Sequence, residues 1–112
     1  MAQASVVLKQ KIINVQQYSH NTDMVTFYFE RYTNSGIDLS TLEAWILIDT
    51  VDSKKLVEYN SNTQVTLEWV IDGSLTQKEQ ELPFQIVFTN NDNIKLYTTV
   101  GKLKVNKSLG AM

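Results

Sequence analysis

The segment VTLEWVIDGS, residues 65–74, alternates apolar and polar side chains and then ends in a polar turn. Every second position holds a large apolar residue: Val65, Leu67, Trp69 and Ile71. A two-residue period places successive side chains on opposite faces of a strand, so the segment predicts a β-strand with one buried face. Trp69 belongs to the buried phase, and we expect it to anchor the core rather than to hold a ligand.

The same alternation occurs on both sides of this segment. In MVTFYFERY, residues 24–32, one phase consists of Val25, Phe27 and Phe29. In LPFQIVF, residues 82–88, one phase consists of Leu82, Phe84, Ile86 and Phe88. Because β-branched and aromatic residues fill these segments, strand propensity supports the periodicity.

Two terminal segments also favour strands. SVVLKQKII, residues 5–13, is predicted to place Val6, Leu8 and Ile12 on one side. IKLYTTVGKLKV, residues 94–105, has an uneven apolar phase, and Gly101 in its middle is a natural site for a β-bulge.

The segment DLSTLEAWILIDT, residues 38–50, fits two interpretations. Ser40 and Glu43 form the S-x-x-E pattern of a helix start, whereas four alternating positions favour a strand: Leu42, Ala44, Ile46 and Ile48. We favour the strand, which places Trp45 and Leu47 together on its opposite face and predicts that both faces are covered. A further layer of the same domain is the preferred cover, and a protein interface at Trp45 and Leu47 is the alternative.

Short polar stretches separate the predicted strands, and TNNDNI, residues 89–94, indicates a hairpin. Strands and turns at this spacing predict an all-β fold. We expect one domain over residues 1–112, an antiparallel β-sandwich of about seven or eight strands, immunoglobulin-like or jelly-roll-like.

Composition argues against several function classes. The chain has 112 residues, no cysteine and a formal net charge of −2. We therefore expect no disulfide framework and no thiolate metal site, and no binding to nucleic acid or an anionic membrane. The N-terminal stretch lacks the cationic region of a secretory signal, and no apolar run reaches the roughly 18 residues of a spanning helix, so we expect no membrane insertion.

Residues that could carry catalysis are sparse. His20 is the one histidine and lies in a predicted loop, without a nucleophile motif. Paired carboxylates could cleave glycosides, and the candidates are Glu30, Glu43, Glu68 and Asp72. Because most of them fall on polar strand phases, a solvated strand face explains them better. We expect no enzyme, no catalytic residues, no cofactor and no metal.

The tyrosines support a different alternative. Rings that bring contact area at low entropic cost can stack on sugars or on a partner protein, and the candidates are Tyr18, Tyr28, Tyr32, Tyr59 and Tyr97. A carbohydrate-binding module that recognises cell-wall polymers is therefore an alternative function.

The order of motifs over roughly residues 25–110 resembles a known family. An aromatic-bearing strand (VTLEWVIDGSLT) precedes an F-x-I-x-F strand at Phe84, Ile86 and Phe88, an Asn/Asp turn, and an aromatic-T-T-V-G-x-L-x-V strand from Tyr97 to Val105. Upstream, RYTNSGIDLS resembles the family's aromatic, turn and D-L-S element. The family is the N-terminal domain of baseplate upper proteins and related tail adhesion modules of bacteriophages of Gram-positive hosts, and receptor-binding protein shoulder domains are related. The family often has a glycine before the F-x-I-x-F strand, and KEQELPFQIVF has none.

The resemblance implies a non-enzymatic structural role. It implies a virion protein, assembled in the host cytoplasm without a signal peptide, that docks onto other tail or baseplate proteins and contributes to host adsorption. It also implies partners among phage tail proteins and a capacity for homo-oligomers.

Overall fold

Nine β-strands are present in the computed structural model, which describes residues 6–20, 23–49, 52–90 and 94–108. In chain order they are β1 (Ile12–Gln16), β2 (Met24–Glu30), β3 (Glu43–Ile48), β4 (Asp52–Lys55), β5 (Val57–Asn60), β6 (Gln64–Val70), β7 (Gln80–Thr89), β8 (Lys95–Tyr97) and β9 (Gly101–Asn106). Two short 3₁₀ turns, Leu39–Thr41 and Gly73–Leu75, lie between strands.

The strands form two packed sheets, so the predicted all-β sandwich is confirmed. The larger sheet has the order β1-β9-β7-β3-β4, with β8 also paired to β7, and the smaller sheet has the order β2-β6-β5. The orders β9-β7-β3 and β2-β6-β5 correspond to the G-F-C and B-E-D strands of an immunoglobulin-like sandwich. The pairing is antiparallel except between β1 and β9, which run parallel.

The inward side chains of both sheets form one core. The predicted buried phases of β2, β6 and β7 are confirmed, because every member is at most 9% exposed. Trp69 is 1% exposed, and its ring lies 6.5 Å from that of Phe27 and 5.6 Å from that of Phe84. Trp69 is therefore a core anchor, as the alternation in its strand predicts.

The ambiguous segment at residues 38–50 contains the favoured strand. In β3 the alternating positions Ala44, Ile46 and Ile48 are buried, and Leu42 is buried just before the strand. The capping signal instead belongs to the 3₁₀ turn Leu39–Thr41, and its N-cap is Asp38, whose carboxylate accepts from the Ser40 N–H. Thr50, at the end of the segment, lies outside the described residues.

The prediction for the first strand is wrong in its position and phase. The strand begins at Ile12, and Ile13 and Val15 point inward while Ile12 is 59% exposed. Leu8 is buried, but it lies in a separate segment that precedes the strand, where the Leu8 N–H donates to the Thr99 hydroxyl. The two-residue phase therefore does not continue from Leu8 to Ile12, because different partners hold the two segments.

The predicted bulge near Gly101 is confirmed by the strand register. β8 and β9 follow each other along β7, and their registers against β7 differ by one residue. Within the break, Thr98 is buried; its N–H donates to the Ile86 carbonyl, and its hydroxyl accepts from the Ile86 N–H. A side-chain oxygen therefore takes the place of a backbone carbonyl where the ladder is interrupted.

Candidate interaction surfaces

Large apolar side chains are exposed on the outward face of the smaller sheet. They are 37% to 56% exposed: Met24, Tyr28, Val57, Tyr59 and Val70. We define the tyrosine face as the outward positions of β2, β5 and β6: Met24, Thr26, Tyr28, Glu30, Val57, Tyr59, Gln64, Thr66, Glu68 and Val70. Clusters of exposed apolar side chains on a sheet commonly mark interaction sites.

The strand register brings two tyrosines into one row of the tyrosine face. Tyr28 on β2 and Tyr59 on β5 both pair with Thr66 on the central strand β6. Two strand spacings of about 4.8 Å separate them, so their backbone positions lie about 10 Å apart on either side of the threonine. The face carries two charged residues, Glu30 and Glu68, and neither forms an ion pair within the described ranges.

The outward face of the larger sheet has its own apolar row. Val87 on β7 pairs with Trp45 on one side and with Tyr97 on the other. Val87 is only 7% exposed although it does not belong to the contiguous core, so its burial comes from these neighbours on the outward face. We define the tryptophan face as the outward positions of the larger sheet: Ile12, Asn14, Gln16, Glu43, Trp45, Leu47, Ser53, Lys55, Glu81, Pro83, Gln85, Val87, Thr89, Lys95, Tyr97, Lys102, Lys104 and Asn106.

The structure leaves Trp45 and Leu47 partly exposed on this face. Neither belongs to the core or to the partly buried residues packed against it. In the part of the chain that the structure describes, the sandwich has two sheets, and the smaller one packs on the other side of β3. The preferred cover, a further layer of the same domain, is therefore not found among these residues, and a protein interface at Trp45 and Leu47 stays a prediction.

Lysines dominate the charges of the tryptophan face. Lys55 pairs with Glu43 at 3.2 Å, and Lys102 pairs with Glu81 at 2.9 Å. The hydrogen bond from Lys102 holds the pKa of Glu81 below its ordinary value. Lys95 and Lys104 form no ion pair with any described residue, so the face has an excess of positive charge.

A groove runs along the edge of β2 that does not face β6. It lies between that edge and the segment at residues 6–10, and continues into the loop at residues 32–35. Its two parts have volumes of about 270 Å³ and about 100 Å³ and share Lys9, Tyr28 and Phe29. Edge strands with exposed backbone groups can accept an added strand.

A bidentate ion pair fixes the loop beyond β2. The Arg31 Nε and Nη2 atoms each donate to an Asp38 carboxylate oxygen at 3.0 Å. Hydrogen bonds from Arg31 and then from Ser40 hold the pKa of Asp38 well below its usual range. The Leu39 N–H also donates to the Arg31 carbonyl at 2.7 Å. These bonds position the 3₁₀ turn that leads into β3.

The residues considered for catalysis do not form one cluster. Glu30 and Glu68 lie on the tyrosine face, whereas Glu43 lies on the tryptophan face. Asp72 caps the second 3₁₀ turn, and the backbone hydrogen bond from Ser74 lowers its pKa. His20 is 62% exposed, as expected for a loop residue, and its Nδ1 accepts from the Gly73 N–H at 2.8 Å.

Sequence reasoning missed the apolar members of the tyrosine face. Met24 and Val70 fall on outward phases of strands whose inward phases are apolar as well, whereas Val57 lies on β5, whose inward positions are Glu58 and Asn60. That signal was readable for Met24 and Val70, which lie within the predicted strand segments at residues 24–32 and 65–74. For Val57 it was not, because β5 follows β4 after the single residue Leu56, where the chain passes from one sheet to the other.

Comparison with known proteins matched no family model and no curated protein. Within the described residues, no helix is long and apolar enough to cross a membrane. The same residues contain no group of three or more histidine, aspartate or glutamate side chains placed to hold a metal ion.

Proposed function

We propose that this chain is a non-enzymatic structural module of a bacteriophage virion, placed at the tail tip or baseplate. In this proposal it docks onto other virion proteins and contributes to host adsorption. The motif order over residues 25–110 supports the assignment to a virion, because it resembles the adhesion-device domains described above.

The observation that carries the docking role is that both outward faces of the sandwich bear large apolar side chains. Tyr28 and Tyr59 are each 56% exposed on one face, and Trp45 and Leu47 are partly exposed on the other. Apolar side chains in such clusters favour burial against a partner, and aromatic residues are enriched where binding energy concentrates.

The virion assignment is tested at the level of the gene and the particle. We expect the neighbouring reading frames to encode tail proteins, and antibodies raised against the chain to label the tail tip in electron micrographs of the phage. Neighbours that are unrelated to phage tails, together with unlabelled particles, would rule the assignment out.

The docking role is tested with purified components. The immobilised chain should retain at least one tail protein encoded in the same gene cluster, and Trp45→Ala or Tyr59→Ala should weaken that retention. Val100→Ala is the matched control, because Val100 is 59% exposed and lies outside both faces and outside the groove beside β2. Retention that none of these changes affects would exclude the two faces as docking sites.

The tyrosine row favours a second candidate function, binding of host cell-wall carbohydrate. Two tyrosine rings beside the hydroxyl of Thr66 combine a stacking surface with a hydrogen-bonding group. Binding on an array of cell-wall glycans that Tyr59→Ala abolishes would support it, with Tyr97→Ala testing the opposite face. An array without signal would dismiss this candidate.

A further inference from the structure

We infer that copies of this chain associate head to tail, with the tyrosine face of one copy seated on the tryptophan face of the next. The inference rests on the proposed docking role and names a partner for it, a second copy of the same chain.

The charges of the two faces are complementary. The tyrosine face has two glutamates and no lysine or arginine among its outward positions. The tryptophan face has four lysines and two glutamates, a net charge of +2, and both glutamates are already paired with lysines of the same face. Glu30 and Glu68 on one copy therefore meet an excess of lysine charge on the other, mainly from Lys95 and Lys104.

The same charges disfavour a two-fold contact. Placing one tyrosine face on another would bring the Glu30 and Glu68 carboxylates of the two copies together. Placing one tryptophan face on another would bring the lysines of the two copies together. Like charges across an interface oppose association. The heterologous contact is therefore favoured over either isologous contact.

The positions of the faces allow the contact to repeat. They lie on opposite sides of one sandwich, so a copy that uses its tyrosine face still offers its tryptophan face. A heterologous contact of this kind builds a ring when the rotation closes and a column when it does not.

The size of the tyrosine face indicates a weak contact. Three strands about 4.8 Å apart and seven residues of about 3.3 Å give a flat footprint of about 300 Å². A standard interface buries about 800 Å² per partner. We therefore expect association that depends on concentration and strengthens only when several contacts form together.

The test uses reversed charges combined in trans. In Glu30→Lys/Glu68→Lys the tyrosine face becomes basic, and in Lys95→Glu/Lys104→Glu the tryptophan face becomes acidic. In sedimentation equilibrium up to about 1 mM, each variant alone should associate about tenfold or more weakly than the wild type. Their equimolar mixture should recover wild-type association, because both kinds of contact then join opposite charges.

Matched controls separate the faces from overall charge. Asp23→Lys/Glu79→Lys and Lys78→Glu/Lys107→Glu make the same changes in net charge at positions outside both faces. These controls should associate like the wild type, and circular dichroism should show that every variant is folded.

Three outcomes would overturn the inference. The first is a wild type that stays monomeric at every concentration. The second is a loss of association in the tyrosine-face variant without a loss in the tryptophan-face variant, which indicates a two-fold contact between tyrosine faces. The third is a mixture that fails to recover. In each case, retention of a tail protein by the wild-type chain would leave the proposed docking role standing.

Discussion

Replacement of Gly101 by alanine tests the close packing of the core against this glycine. A Cβ atom at this position would lie 2.6 Å from Cζ of Phe84 and 2.7 Å from Cδ2 of Leu8. The Phe84 ring cannot easily retreat, because the rings of Phe27 and Trp69 lie 5.9 Å and 5.6 Å from it. We therefore expect a cost of about 2–3 kcal/mol, the upper part of the usual range for overpacking.

Urea unfolding followed by tryptophan fluorescence measures this loss in the free energy of unfolding. In thermal unfolding, at about 4 °C per kcal/mol, the melting temperature should fall by about 8–12 °C. Gly36→Ala is a control of a different kind, because its φ of +86° strains alanine while no atom lies within 4 Å of the added Cβ. It should cost about 1 kcal/mol. A loss at Gly101 below about 0.5 kcal/mol would refute the packing argument.

A double variant separates the steric clash from any effect on the strand. Phe84→Leu removes the ring atoms that approach Gly101 most closely. Gly101→Ala should therefore cost less in the Phe84→Leu background, with a coupling energy of about 1 kcal/mol or more. Additive losses would show that the alanine acts through Leu8 or through the backbone of the bulge rather than through the Phe84 ring.

Three further changes test other parts of the fold. Thr98→Val leaves the Ile86 N–H unsatisfied and should cost about 1–3 kcal/mol in urea unfolding, whereas Thr98→Ser should resemble the wild type; equal losses would contradict the role of the hydroxyl. Asp38 has a lowered pKa in the folded chain, so its contribution is present above its ordinary value of 3.8 and is lost as pH falls towards the folded value. Asp38→Asn should therefore flatten the decline in melting temperature between about pH 4 and pH 2, and parallel curves would exclude this contribution. Trp69→Ala should cost about 3–5 kcal/mol and Thr66→Ala less than about 0.5 kcal/mol; the reverse order would contradict the assigned faces.

The sequence was sufficient for features that depend on neighbouring residues. The inward phase of β6, with Trp69 at its centre, followed from a two-residue period that no turn interrupts. The bulge at Gly101 was also accessible, because the uneven phase of residues 94–105 is local. The roles of Thr98 and Thr99 were not accessible, because their hydroxyls bond to Ile86 and Leu8, twelve and ninety-one residues away.

Features that depend on pairing between distant strands were missed. The start of β1 at Ile12 is set by its parallel register with β9, and no local pattern indicates that register. Of the two candidate surfaces, one was readable from local sequence and the other was not. Trp45 and Leu47 stood out because both phases of their strand are apolar, but the row of Tyr28, Thr66 and Tyr59 required the register of three strands.

The apolar outward residues are separable from the core that folds the chain. The inward side of the smaller sheet already contributes to the core, because Val65 and Leu67 on its central strand β6 are fully buried. Tyr28 and Tyr59 lie on the outward side of the neighbouring strands β2 and β5. An outward tyrosine that is 56% exposed loses little contact on truncation, so Tyr59→Thr should change the free energy of unfolding by less than about 0.5 kcal/mol. The same change should weaken docking and self-association if the tyrosine face is used for either. Urea unfolding and sedimentation of one variant therefore decide whether the ring serves the fold or a partner, and a large loss of stability would mean that it serves the fold.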